Sequence, residues 1–180
     1  MGILKALFGA GNAAAPVHSQ NPRPAPVASS EARLQPGRSL TFDPDLVDSL
    51  KDDHQALVEI FQRIGATCGA RDFTECTHAL RKFKSRFTDH LIVENTRFYL
   101  YVKKAMEASD PDSAGIARAF QQEMHQIAKV VTSFVDQYSI SEELLESGAF
   151  AQELQRIGGA LAERIDREEK TLYPLYLPMA

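Results

Sequence analysis

Two stretches of the chain set a nitrogen-bearing side chain four residues ahead of a carboxylate: His90 and Glu94 in "HLIVENTRFYLY", residues 90–101, and Arg164 and Glu168 in "RIDREEKTLYPLY", residues 164–176. On a helix, positions i and i+4 lie on one face, so each pair can act at one place. Imidazole with carboxylate is a mixed nitrogen and oxygen donor set suited to iron, manganese or zinc. Guanidinium is different: it stays protonated and has no lone pair to offer. The second stretch therefore keeps the anion of the first and exchanges a ligand for a permanent cation.

These residues need helices to position them, and the apolar pattern supplies four. "DPDLVDSLKDDHQALVEIFQRIGATCGARD" opens with a cap-like Asp43 and with Pro44 in a first-turn position, then runs Leu46, Leu50, Leu57, Phe61, Ile64 until Gly69. A second helix carries Leu80, Phe83, Phe87, Phe98 and Tyr101 on one stripe up to "ASDPDSAG", and a third runs from about Asp112 to Tyr138 through Phe120, Met124, Ile127, Val131 and Phe134. The fourth follows "SISEELLESG" with Phe150, Leu154, Ile157, Leu161 and Leu172 and stops near Pro174. No strand-like alternation competes. Four amphipathic helices with short links predict an all-α, up-down-up-down four-helix bundle over residues 42–180.

At 100° per residue, five polar side chains project onto the apolar stripes: His54 on helix one, His90 and Glu94 on helix two, Arg164 and Glu168 on helix four. Glu169, one residue on, projects away from the stripe toward solvent. A buried carboxylate is costly unless it is paired, hydrogen-bonded or bound to a metal. One inward histidine is most often a satisfied core residue, but five inward polar groups from three helices predict a clustered site. His125 lies more than 100° off its own stripe and is a weaker candidate, while His78 and His18 are assigned no role. Tyr99, Tyr101, Tyr173 and Tyr176 read as bundle-end packing, with Tyr101, two turns beyond Glu94 on the same face, the one best placed to reach the site.

Composition narrows the function. A chain of 180 residues, 44% apolar, has material for one full core, and a net charge of -4 gives no general affinity for nucleic acid. Cys68 and Cys76 are too few for a disulfide framework and predict free thiols in a reducing compartment. No stretch reaches the roughly 18 apolar residues of a membrane span, and "MGILKALFGAG" is too short an apolar run for a secretory signal. Cytoplasm is the expected address. Residues 12–40 are rich in Pro, Ala, Ser and Gln and show no apolar period, which predicts a disordered tail over residues 1–41. At its start, within residues 1–11, Ile3, Leu4, Leu7 and Phe8 form a short amphipathic tip that could contact a protein or a membrane surface.

The order of one His on helix one, HxxxE on helix two, His on helix three and xxxE before "LYP" on helix four resembles the hemerythrin-like (HHE cation-binding) proteins. An internal duplication supports the resemblance: "DDHQALVEI" echoes "EMHQIAKVV", which sets His54 against His125, and "HLIVENTRFY" echoes "RIDREEKTLY", which sets Glu94 against Glu168. Complete members hold two bridged iron ions in the bundle and bind oxygen reversibly. The resemblance implies that His54 and His90 serve one metal, that Glu94 and Glu168 are the bridging carboxylates, and that His125 is one histidine of the other metal. The two further histidines of that second metal fall on Gln121 and Arg164.

Charge counting takes that substitution further. Two divalent ions with two glutamates and Arg164 would leave three uncompensated positive charges in a poorly solvated cavity, whereas one ion leaves one, which a bound hydroxide cancels. Without any metal, Arg164 can fork onto the glutamates, and one protonated imidazole completes neutrality. The expectation is therefore a mononuclear or degenerate site for one Fe, Mn or Zn ion, with Arg164 and Gln121 setting its electrostatics. Its use would be in sensing or handling iron- or oxygen-related small molecules, with a small diatomic ligand conceivable. The alternative is a metal-free interaction or regulatory module with an Arg/Glu/His ion-pair core. An enzyme is the less favoured reading, because no nucleophile–base pair or phosphate loop stands beside the site.

Overall fold

The computed structural model describes residues 41–106 and 110–178. The tail and its tip fall outside these residues apart from Thr41. All regular structure among the described residues is helical. Helix α1 spans Leu46–Gly69, starting slightly later than the sequence suggests. Asp43 forms a turn ahead of it, its Oδ1 accepting the Asp45 N–H at 3.1 Å and its carbonyl the Leu46 N–H at 3.2 Å, so Pro44 sits in that turn. Arg71, at φ 61°, reverses the chain, and Asp72 caps α2 (Phe73–Val93) by accepting the Glu75 N–H.

The second expected helix is not one continuous α-helix. After α2 comes a π-helical turn, Glu94–Tyr99, and then α3, Leu100–Met106. Helix α4, Pro111–Tyr138, is capped by Asp110 and opens on proline. The link read as "SISEELLESG" contains a short helix, α5 (Glu142–Glu146), before α6 (Gly148–Arg167), which Ser147 caps. Helix α6 also passes into a π turn, Glu168–Leu172, and ends in a 3-10 turn, Tyr173–Leu175, at Pro174.

Helix α1 packs on α2, α2 on α4, α4 on α6 and α6 back on α1, enclosing the interior of a helical bundle. Two apolar clusters fill it. One gathers Leu57, Phe61, Phe83, Phe87, Met124, Phe134 and Phe150 with their neighbours; the other gathers Leu50, Phe98, Tyr99, Phe120, Leu172 and Tyr173 with theirs. Along α1, α2 and α6, the residues between these clusters are the polar ones predicted to face inward. Cys68 and Cys76 are free thiols. No helix among the described residues is long and apolar enough to cross a membrane.

Candidate metal centre

His54, His90, Glu94, Arg164 and Glu168 are the buried polar and charged residues among those described, each at most 3% exposed. His54 is contributed by α1, His90 by the last turn of α2, and Arg164 by the last turn of α6. Glu94 and Glu168 each open a π turn. Such turns bond i to i+5 and often interrupt helices at functional positions. Here they fall at corresponding places in the two sequence repeats and carry the two carboxylates.

Ligand atoms of His54, His90 and Glu168 lie within 4.8 Å of one another. Glu94 is outside that mutual set but is buried close enough to feel the charges of Glu168, Arg164 and His54. The rings of His54 and His90 lie 4.8 Å apart between centroids. His54 is engaged on both nitrogens: Nδ1 is 3.0 Å from Glu169 Oε1, and Nε2 is 3.2 Å from Glu168 Oε2 and 3.1 Å from the Tyr173 hydroxyl. Burial works against a charge on this imidazole, but the hydrogen bonds to Glu168 and Glu169 outweigh it and push its pKa up to about 9. At neutral pH, with no metal present, His54 is therefore a cation.

Arg164 completes the layer. Its Nε donates to Glu168 Oε1 at 2.6 Å, Nη1 to Glu123 Oε2 at 3.0 Å and Nη2 to the Tyr99 hydroxyl at 3.2 Å. The guanidinium stacks 4.6 Å from the Phe120 ring, which also receives Arg167 at 4.9 Å. Arg167 in turn donates to Glu123 Oε1 at 2.7 Å. Burial would raise the Glu168 carboxyl, yet the His54 hydrogen bond and the charge of Arg164 hold it below its ordinary value. Glu94 goes the other way: burial first, then the charge of Glu168, push it up to about 8. One carboxylate of the pair is thus firmly ionised, and the other holds its proton near neutrality.

Three atoms of this layer are buried without any hydrogen-bond partner: both oxygens of Glu94 and Nδ1 of His90. Asp53 Oδ2 lies 3.9 Å from that nitrogen, and the His90 imidazole helps to hold the Asp53 carboxyl below its ordinary value. Unsatisfied buried polar atoms are costly, and a cation seated among the imidazoles and carboxylates is what their chemistry would accept. The donor set therefore fits one metal ion at the His54, His90 and Glu168 cluster, with Glu94 buried beside it. It does not fit a second ion on the Arg164 side, where the guanidinium already lies against Glu168.

Two expected members are not brought to the site. His125 is exposed, because Met124 takes the inward position on α4 and the next residue turns about 100° away. Gln121 is also exposed and donates to Asn95 Oδ1 at 2.9 Å instead of facing the carboxylates. Glu169, expected in solvent, is half-buried against His54. Among the tyrosines, Tyr99 and Tyr173 reach the site while Tyr101 donates to the Leu177 carbonyl at 2.9 Å. The sequence does hold a sign of this, since Tyr99 and Tyr173 occupy matching places in the two repeats. Glu123 is signalled more faintly, as a carboxylate on the facing helix for Arg164 and Arg167, which stand three residues apart.

A cavity of about 30 Å³ adjoins the cluster, lined by His54, His90, Arg164 and Glu168 on one side and by Leu57, Phe87 and other apolar residues on the other. It has room for one or two waters or a ligand of similar size. The sequence profile of the hemerythrin HHE cation binding domain matches residues 45–176. No curated protein and no solved structure matches the chain.

Proposed function

The chain belongs to the hemerythrin HHE cation-binding domain family, and from that premise we propose that it binds a single divalent iron, manganese or zinc ion with His54, His90, Glu94 and Glu168. The observation that carries the count of one is the Arg164 guanidinium, buried and donating to Glu168 at 2.6 Å. A second ion there would meet a fixed positive charge at close range. Bound iron or manganese would supply redox chemistry or a coordination position for a small ligand, and zinc would supply a Lewis acid without redox change.

The chain's own residues do the rest. Glu168 is kept ionised and aimed by Arg164. Glu123 and Tyr99 hold the guanidinium in place from its far side. The adjoining cavity is mostly apolar in its lining and, at about 30 Å³, suits a ligand of about two heavy atoms, which supports a role with a small diatomic molecule. We read the helices as an up-down-up-down four-helix bundle over residues 42–180, preceded by a disordered tail over residues 1–41. The setting is cytoplasmic, the task is sensing or handling of iron- or oxygen-related small molecules, and residues 1–11 are a contact point for a protein or membrane surface.

A second reading is favoured by one observation. Glu168 is already bonded by His54 and Arg164, so most of the layer is satisfied without an ion. In that reading the chain is a metal-free interaction module built around an ion-pair core. Metal analysis of the purified protein separates the two. About one equivalent of iron, manganese or zinc, lost in His54→Ala and Glu94→Ala, is the expected result. Two irons with an oxo-bridge absorption band would overturn the single-ion count. Metal-free protein whose melting ignores both chelator and added metal would establish the ion-pair core.

A further inference from the structure

Glu169 has no part in the donor set above, yet its carboxylate is 3.0 Å from Nδ1 of His54, and its side chain is only 29% exposed. The other nitrogen, Nε2, faces Glu168 and Tyr173. The two ring nitrogens therefore have different surroundings: one meets the buried cluster, and the other meets a carboxylate that reaches toward the surface. A histidine that ligates through one nitrogen commonly donates the opposite N–H to a carboxylate, which fixes the tautomer and the ring orientation.

We propose that Glu169 is a positioning residue: it holds a proton on Nδ1 of His54 and locks the ring so that Nε2 is the atom presented to the metal. The inference rests on the metal-binding reading and deepens it. Successive residues Glu168 and Glu169, the first two of the π turn, both reach the same imidazole, one at each nitrogen. Tyr173, from the same segment, lies nearly parallel to the ring with centroids 5.6 Å apart and brings its hydroxyl to 3.1 Å from Nε2. The His54 ring is thus gripped by three residues spaced within about two helical turns of one another.

The test compares native protein with Glu169→Ala and Glu169→Gln, each stripped of metal and titrated calorimetrically with Zn(II). A Cu(II)-loaded sample of each is examined by electron spin echo envelope modulation, which reads the remote nitrogen of a coordinated imidazole. Glu169→Ala is expected to weaken Zn(II) binding by about 10- to 100-fold and to shift the remote-nitrogen signal. Glu169→Gln, which keeps an acceptor oxygen, should weaken binding less. Native affinity together with an unchanged remote-nitrogen signal in Glu169→Ala overturns the proposal, even if that variant melts at a lower temperature. Failure of the native protein to bind Zn(II) or Cu(II) overturns the metal reading itself and this proposal with it, and that outcome is read from the native arm alone.

Discussion

Arg164 carries the most consequence of any single residue. Removing one partner of a buried ion pair typically costs about 3–5 kcal/mol, and Arg164 serves Glu168, Glu123 and Tyr99 at once. Arg164→Met is therefore expected to lower the melting temperature of metal-free protein by roughly 2–4 °C per kcal/mol lost, with added Mn(II) restoring more stability than it adds to the native protein. Arg164→His tests the same idea by capacity. It should raise the bound metal from one equivalent toward two, and an unchanged stoichiometry would count against guanidinium as the substitute for an ion.

The protonation of His54 and Glu94 gives a pH dependence with a definite sign. Both groups hold a proton more tightly in the folded, metal-free protein, His54 at about 9 against 6.5 and Glu94 at about 8 against 4.5. Their contribution is complete below the unfolded values and is lost as pH rises through the folded ones. Metal-free protein should thus lose stability from about pH 4.5 to about pH 9. Metal binding requires the deprotonated forms, so its stabilising increment should grow over the same window. Thermal unfolding with chelator and with saturating Mn(II), repeated across this range, checks both slopes; curves that run parallel would refute the linkage.

Helices and their inward faces are readable from apolar spacing because each long helix buries a stripe, and five inward polar residues emerge from that geometry alone. The break in period is not readable in the same way. A π turn leaves little trace in composition, and beyond Glu94 and Glu168 a fixed 100° step misplaces each later side chain. Such a step sends Glu169 to solvent and prefers Tyr101 over Tyr99. Partners on neighbouring helices are also hidden, since the projection of one helix says nothing of Asp53 beside His90 or Glu123 beside Arg164. The importance of the second π turn can be measured by deleting Thr171. Shortening the segment to an α-helical register turns Leu172–Tyr176 by about 100° and withdraws the Tyr173 hydroxyl from His54. Metal binding should be lost while the helical circular dichroism remains near native.

The molecule as a whole concentrates its buried polarity in one layer between two apolar clusters. Each cluster provides packing that does not depend on the layer, so chelated native protein should remain folded and unfold cooperatively. A chain beginning at residue 42 should match the full-length protein in metal content and melting temperature, because the profile match begins at residue 45 and the site residues begin at His54. Equilibrium dialysis and calorimetry on the shortened chain would show whether residues 1–41 contribute to either.

An arginine delivered by the polypeptide arrives with every copy that is synthesised, whatever the supply of inorganic ions. A bundle whose interior is balanced in this way need not await metal in order to mature. If the proposed ion binds, vacant and loaded molecules would then persist side by side, in a ratio set by how much free ion surrounds the protein.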